Sequence, residues 1–401
     1  MKALFNGKMP KNISSDPIHP EIFTGTSVGS YNASFLVGQW EAYGASAIAN
    51  LEKVWIDEIA EGSQNGGNGC YRFRGNPAQL LDPGYLASHP MEPIINLIND
   101  SASLSWDALR RAVYFATAAG ETLPQRIMEL FNLSSFISRE PLEQLVRKTI
   151  RFEDIRSSSR LLRLAATNWA LGEVEIFNNL DMTDQLGPLV ILASTAIPGF
   201  FSRTAIGSQP YVDGGVVMNT PLKPAVDAGA DTLHVIYMDP DVKKIHIAEI
   251  ENTVTTMYRM QVIGWAKAIN GDIDSARRTN RESAFARLAM KARGVLEKTL
   301  KKQEMSGTEA KEFFTEINLS EIDGHLKRSS QYRAVTIHRY HPHDDLGGPL
   351  GLLDFDRGKI QGLIERGFKD TVTHDCEDSG CVIPIHADKA ADIAEGVKEA
   401  V

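Results

Sequence analysis

The stretch that decides the fold is residues 20–40, PEIFTGTSVGSYNASFLVGQW. A short β-favouring run leads into a turn with two glycines and then into small and apolar residues, which predicts a strand, a tight turn and a helix. Gly25, Ser27 and Gly29 form a G-x-S-x-G pattern at the turn. Such a turn pushes the serine hydroxyl clear of the backbone at the start of the helix, where the helix dipole and free N–H groups favour negative charge. Ser27 is therefore a candidate nucleophile and the N–H of Val28 a candidate oxyanion donor, although the same pattern also occurs in ordinary structural turns.

A second motif is Asp213, which is followed by Gly214 and Gly215 and preceded by a β-favouring pair. An aspartate at a strand end with backbone close by can bring its carboxylate to a serine hydroxyl and accept the proton as a general base. An Asp-Gly pair is also among the commonest turn sequences, so the motif alone favours a turn. Together with Ser27 it predicts a serine–aspartate dyad, with both glycines in the supporting loop.

The remaining pattern predicts an α/β domain over residues 1–240. LLRLAATNWALGEVEIFNN predicts a hairpin around Gly172, and TDQLGPLVILASTAIPGFF predicts a helix. Residues 241–401 form a mainly helical extension, with a long helix predicted over residues 250–303 and one or two strands such as RAVTIHRY.

Four blocks in this order resemble the patatin-like phospholipases, which are serine acyl hydrolases with a Ser–Asp dyad and no histidine: GTSVGSYNA, AATNWALGEVEIF, ASTAIPGFF and YVDGGVVMNTPLKPAVDAGAD. The resemblance implies a three-layer α/β/α sandwich around a largely parallel sheet. It also implies Ser27 as nucleophile, Asp213 as base and a lipid acyl ester as substrate, as for a phospholipase A or a lysophospholipase. No cofactor is expected.

One departure from that family concerns its usual opening, a strand and a glycine-rich loop whose N–H groups form most of the oxyanion hole. Here MKALF matches the end of the helix that follows this loop, and Gly7 is neither in a glycine-rich stretch nor before a helix. Losing one oxyanion donor costs about 100 to 1,000-fold in rate. We therefore expect either an enzyme whose given start is internal to a longer chain, or a weak or inactive relative that binds lipid or a protein partner.

A Ser-His-Asp hydrolase is the alternative use of the same serine motif, since His234 and His246 both follow Asp213. His234 lies in the apolar run LHVIYM, where a packed histidine is favoured over a catalytic one. The serine at position 27 also leaves no room for the strands that such a fold places before it.

Two groups of potential metal ligands occur near the carboxyl end. HRYHPHDD, residues 338–345, holds three histidines and two aspartates, but Pro342 breaks regular spacing. The other group has the spacing H-x-C-x4-C-x4-H and consists of His374, Cys376, Cys381 and His386. This spacing is unlike familiar zinc motifs, so a solvated tail is favoured and no metal is predicted.

The charge and the apolar content of the sequence indicate which binding partners and which cellular compartment to expect. Lysine plus arginine total 42 against 51 acidic residues, for a net charge of −9, which argues against a nucleic-acid binder. No glycine loop for a nucleotide phosphate, signal peptide or apolar stretch of bilayer length is recognisable. With only three cysteines, the sequence predicts a cytoplasmic protein that uses no disulfide framework.

The long helix offers a candidate membrane surface. Its basic face includes Arg277, Arg281, Lys291 and Lys298, which could lie on an anionic membrane. The favoured alternative is a solvated helix that packs by its apolar stripe, which consists of Phe285, Leu288, Ala289, Ala292, Leu296 and Leu300.

Overall fold

The structure is a computed structural model that describes residues 1–10, 13–14, 16–60, 68–75, 87, 90–117, 133–238, 253–302, 329, 331–344, 346 and 354–384. These residues fall into two compact units. Unit 1 is drawn from Met1–Ala228, Tyr237–Ala266 and His341–His374, and unit 2 from Gly229–Ile236, Lys267–Tyr340 and Asp375–Val401.

The helices and strands alternate along most of the chain, as the α/β prediction requires. In chain order they are α1 (Lys2–Phe5), β1 (Ile22–Thr26), α2 (Val28–Tyr43), α3 (Ala47–Val54), β2 (Arg72–Phe73), α4 (Glu92–Thr117), β3 (Ile137–Ser138), α5 (Glu140–Thr149), α6 (Phe152–Ser157), β4 (Leu161–Asn168), β5 (Glu173–Asn178), α7 (Leu186–Ser194), β6 (Thr204–Ile206), β7 (Gln209–Asp213), α8 (Leu222–Asp227), β8 (Thr232–Ile236), α9 (Thr253–Lys302), β9 (Thr336–Tyr340) and α10 (Arg357–Val372).

Unit 1 is built on a mixed five-stranded sheet with β4 at its centre. β1 runs parallel to β4, whereas β5 and β7 run antiparallel to it and β6 pairs with β7. Residues 163–165 of β4 pair with both β1 and β5, and residues 166–168 pair with both β5 and β7. Because a strand has only two edges, β1 and β7 share the edge of β4 opposite β5.

Helices cover both faces of this sheet. The residues from Leu164 to Asn168 are all buried although successive side chains of a strand point to opposite faces. Helices α2 and α7 both contact β4, and α8 contacts β1. This burial on both faces confirms the predicted α/β sandwich.

The local predictions in unit 1 are confirmed. β1, a turn at Ser27 and α2 form the strand, turn and helix of the serine motif. β4 and β5 form the expected hairpin, in which Gly172 adopts φ 70° at the turn. Among the described helices, none combines the length and the apolar content that crossing a lipid bilayer requires.

Unit 2 contains the parallel pair β8 and β9 and the part of α9 from Lys267 onward. The Asn280 side chain of α9 accepts a hydrogen bond from the Val335 N–H at 2.9 Å and donates one to the Val335 carbonyl at 2.7 Å. Ser283 donates to the Tyr332 carbonyl at 2.8 Å. Two buried polar side chains of the helix are thus satisfied by the segment that leads into β9.

These contacts correct the predicted orientation of α9. Phe285 and Leu288 belong to the apolar stripe that was expected to pack inward, but they are 66% and 50% exposed. The buried side of the helix carries Ile273, Ser283 and Ala286 instead. The hydrogen bonds of Asn280 and Ser283 select this side, and hydrophobic spacing alone cannot reveal them.

Candidate active site

Ser27 lies at the turn between β1 and α2 in a strained backbone conformation. Its φ of 55° is the only positive φ of a non-glycine residue within the described ranges, and its ψ is −131°. The backbone of the turn passes so close to Gly25 that a side chain does not fit there. A Cβ at this position would lie 2.4 Å from the Gly29 carbonyl oxygen. A Cβ on Gly29 would meet open space, so only the first glycine of the motif is required by packing.

A buried serine hydroxyl holds this turn in place. Ser194, at the end of α7, donates its single hydroxyl proton to the Ala165 carbonyl at 2.6 Å. Its oxygen therefore accepts hydrogen bonds from the Ser27 N–H at 3.0 Å and from the Ser30 hydroxyl at 2.6 Å. The turn is thus tied to the central strand β4. Sequence reasoning missed Ser194, since a serine within an apolar helix carries no local signal of such a role.

Asp213 ends β7 and meets the serine turn along the shared edge of β4. Thr26 pairs with Ala165, and Asp213 pairs with Ala166, the next residue of the same strand. Because β1 and β7 run toward each other along this edge, their carboxyl ends bring Ser27 and Asp213 together. The loop that follows passes close to β4, since a Cβ on Gly214 would lie 2.3 Å from the Ala165 carbonyl oxygen.

Burial dominates the electrostatics of Asp213. Removal from water raises the pKa of its carboxyl to about 7, and the neighbouring Ser27 hydroxyl and Gly215 N–H lower it only in part. One oxygen, Oδ1, accepts a hydrogen bond from the Gly215 N–H at 2.7 Å. Within the described part of the chain, Oδ2 has no partner of normal hydrogen-bond geometry, although the Ser27 hydroxyl is close enough to affect the pKa.

Two further contacts hold the site and were not foreseen from the sequence. The Trp265 indole N–H of α9 donates to the Gly215 carbonyl at 2.5 Å, and the Thr26 hydroxyl donates to the Met218 carbonyl at 2.9 Å. Trp265 lies in the segment predicted as a separate extension, yet it belongs to unit 1. The loop after Asp213 is therefore held both by β1 and by a helix from beyond residue 240.

The structure also shows where Val28 and Gly7, the two other residues considered as oxyanion donors, lie. Val28 is the first residue of α2, where the N–H has no acceptor in the preceding turn of the helix. Gly7, with φ 63°, donates its N–H to the Leu4 carbonyl at 3.2 Å in a turn packed against Pro17. Its amide is therefore engaged in the local fold.

Described histidines of the alternative triad and of the HRYHPHDD segment pack against other rings, and His234 stacks on His338 with the ring centroids 5.1 Å apart. His234 lies in unit 2, where its Nδ1 is 3.1 Å from the Tyr340 hydroxyl, which fits the predicted packed histidine. His338 also belongs to unit 2, whereas His341 stacks on Tyr237 in unit 1. His246 and His386 lie outside the described residues.

Comparison with known families supplies one match. A model of the family described as patatin-like phospholipase matches residues 14–226, which is more than half of the chain. The matched region includes Ser27, Asp213 and all five strands of the unit 1 sheet. No curated protein matches the chain.

We predict that Ser194→Ala destabilises unit 1. The change leaves the Ala165 carbonyl, the Ser27 N–H and the Ser30 hydroxyl without their buried partner, and each such group costs about 1–3 kcal/mol. The midpoint of urea denaturation should fall clearly below that of wild type. The control is Ser157→Ala, which removes an exposed hydroxyl that donates to carbonyls of its own helix. Equal midpoints for the two variants would contradict the assigned role of Ser194.

Proposed function

Because the chain belongs to the patatin-like phospholipase family, we propose that it is a lipid acyl hydrolase with Ser27 as nucleophile and Asp213 as general base. One observation carries the proposal: a serine in a strained turn adjoins a buried carboxylate that has one oxygen without a normal hydrogen bond. Backbone strain and a buried carboxyl both cost stability, so together they favour a chemical role.

The first half of the reaction forms an acyl-enzyme. The Ser27 oxygen attacks the carbonyl carbon of the ester while Asp213 accepts the serine proton at Oδ2. The negative charge that develops on the substrate oxygen is stabilised by the Val28 N–H and the amino end of α2. When the tetrahedral intermediate collapses, the ester bond breaks and the leaving alcohol takes the proton from Asp213.

The second half releases the fatty acid. Asp213 accepts a proton from water, the resulting hydroxide attacks the acyl carbon, and the Ser27 oxygen leaves and takes the proton back. A carboxyl can serve in both directions because its pKa of about 7 lies near neutral pH, where a general acid–base group is most efficient. No histidine is needed in this scheme.

Apolar side chains follow both site residues and suit the acyl chain of a lipid. Val28 directly follows Ser27, and Val216 and Val217 follow Gly215; all three valines are exposed. A phospholipase A or lysophospholipase type of reaction fits this arrangement. The alternative is a patatin-fold protein without turnover that binds lipid or a protein partner, but passive binding gives no reason for the strain at Ser27.

We predict that Ser27→Ala abolishes both labelling by a fluorophosphonate and turnover of an acyl ester. Asp213→Asn should lower turnover by about 100 to 10,000-fold, because the serine loses its general base. The matched control is Asp227→Asn, which changes an exposed aspartate of α8. His234→Gln tests the alternative Ser-His-Asp triad. If His234→Gln lowers turnover as far as Ser27→Ala does, the proposed dyad is contradicted. Full turnover by Asp213→Asn would contradict it equally.

We also propose that the protein contacts the membrane surface that holds its substrate. Helix α4 of unit 1 carries an exposed apolar stripe, in which every side chain is 43–69% exposed: Ile94, Ile95, Ile98, Trp106, Leu109 and Val113. These residues recur at helical spacing and face one side of α4. Exposed apolar patches of this kind mark interaction surfaces, and tryptophan suits the interface between water and lipid. Since the family acts on lipids, a bilayer is the partner proposed for this stripe.

The basic residues of the unit 2 part of α9 form a second candidate membrane surface, which we propose separately from the α4 stripe of unit 1. Arg277 is engaged with the Gly380 carbonyl at 2.7 Å and with Asp274 at 3.2 Å, so it does not belong to the proposed surface. Arg281, Lys291 and Lys298 are exposed. Basic residues near an anionic surface contribute about 1 kcal/mol each at low salt.

We predict different vesicle binding for two sets of changes. Ile98→Ser, Trp106→Ser and Leu109→Ser together should weaken binding to both zwitterionic and anionic vesicles by about 100-fold or more, because burying such side chains contributes about 1.5–3 kcal/mol each. Glutamine at positions 281, 291 and 298 should weaken only anionic binding at low salt.

Co-sedimentation at two salt concentrations measures both effects. Leu171→Ser serves as control, since Leu171 is exposed at the turn between β4 and β5 and outside the α4 stripe. The membrane proposal fails if the triple serine variant binds vesicles as tightly as wild type.

A further inference from the structure

Four metal-binding side chains converge at the carboxyl end of the described chain. His338, His374, Cys376 and Cys381 each offer one ligand atom, and these atoms all lie within 4.8 Å of one another. We propose that they form a structural zinc site. This inference is independent of the reaction proposed for Ser27 and Asp213.

Strand pairing places Cys381 beside His338. Val382 forms an antiparallel bridge with Ile337, with N–H to carbonyl distances of 2.8 and 2.9 Å in the two directions. Ile337 precedes His338 in β9, and Val382 follows Cys381. The bridge therefore fixes the backbone directly next to each of these two side chains.

A compact turn brings Cys376 back to the same point. The Cys381 N–H donates to the Cys376 carbonyl at 2.9 Å, and the Gly380 N–H donates to the Glu377 carbonyl at 3.0 Å. Gly380 adopts φ 64°, which a glycine accommodates without strain. The Asp375 side chain accepts from the Glu377 N–H at 2.8 Å. His374 directly precedes this turn in the chain and supplies the fourth side chain.

The distances suit tetrahedral zinc. Zn–S bonds of about 2.3 Å and Zn–N bonds of about 2.0–2.1 Å place neighbouring ligand atoms roughly 3.3–3.8 Å apart. The Cys376 Sγ and the His338 Nδ1 are 3.5 Å apart, which is already within that range. The backbone N–H of Arg339 donates to the Cys381 Sγ at 3.3 Å, an interaction that also stabilises metal-bound thiolates.

The type and number of ligands select the metal and its role. Two thiolates with two imidazoles favour zinc over magnesium or calcium, which prefer oxygen ligands. Four protein ligands close a tetrahedral site and leave no position for a reacting water, which is typical of structural zinc. His338, Cys376 and Cys381 belong to unit 2, so a metal held by them would fasten the cysteine turn to β9 within that unit. His374 directly precedes the turn in the chain, and both histidines are buried.

The sequence favours a solvated tail for this segment because the spacing of His374, Cys376, Cys381 and His386 is unlike familiar zinc motifs. His386 lies outside the described residues, and the structure supplies His338 from β9 in its place. In the sequence His338 belongs to the separate group HRYHPHDD. The spacing between His338 and the cysteines resembles no short motif, because β9 and the turn at residues 375–381 meet only in the fold.

The test is metal analysis of the full chain, purified with a reductant and without a histidine tag. We expect about one zinc per chain in wild type. After chelation, Co²⁺ should give the visible bands of a tetrahedral site and thiolate charge-transfer absorption. Cys376→Ser and His338→Gln should weaken metal binding by more than the roughly 10 to 100-fold that removal of an outer-sphere partner costs. Ester turnover reports separately on unit 1.

Matched controls and a conservative variant keep the test decisive if a ligand variant folds poorly. Cys70→Ser removes the third cysteine and His343→Gln an exposed histidine, and both should retain one zinc. Cys376→His should retain metal but lose part of the thiolate absorption. Three results would overturn the proposal. The wild-type protein binds neither zinc nor cobalt, the reduced preparation contains a Cys376–Cys381 disulfide, or either control variant loses its metal.

Discussion

The hydroxyl of Ser194 is the contact on which the candidate active site depends. By donating to the Ala165 carbonyl and accepting from the Ser27 N–H, it ties the strained turn to the strand at the centre of the sheet. A residue in an unfavourable backbone conformation costs about 1–3 kcal/mol, and a buried hydrogen bond returns about 1 kcal/mol net. Two or three such hydrogen bonds therefore provide about as much free energy as the backbone conformation of Ser27 costs. Without them the turn would relax and the serine would withdraw from Asp213.

The shared edge of β4 explains why Ser27 and Asp213 lie close together. β1 and β7 approach each other from opposite directions and end at neighbouring residues of β4, so Ser27 and Asp213 meet without a long connecting loop. Asp213 is buried at this position, and burial raises the pKa of its carboxyl to about 7. The arrangement of β1 and β7 on β4 therefore accounts both for the position of Asp213 and for its raised pKa. A buried carboxyl beside a serine can act as the general base, which is the role of histidine in a catalytic triad. This is consistent with the family that the chain belongs to.

Local signals in the sequence were sufficient for much of the fold. The strand, turn and helix around Ser27 and the hairpin at Gly172 both rest on residues close together in the chain, and the structure contains each of them. The contacts that sequence reasoning missed join distant segments. Ser194, Trp265 and the side of α9 that is buried depend on hydrogen bonds across the fold, and His338 meets the cysteine turn only through strand pairing. Hydrophobic periodicity reports that a helix has an apolar face, but not which polar side chains a neighbouring segment will satisfy.

We propose that Asp213, through its raised pKa, governs the reactivity of Ser27. The most direct measurement is the pH dependence of the rate at which a fluorophosphonate labels Ser27. Below pH 7 the carboxyl is protonated and cannot accept the serine proton, so the wild-type rate should rise with pH through a midpoint at about 7 and then level off. In Asp213→Asn the rate should be low and lack that midpoint. A wild-type rate that does not change between about pH 5 and pH 9, or an Asp213→Asn profile identical to that of wild type, would contradict the account.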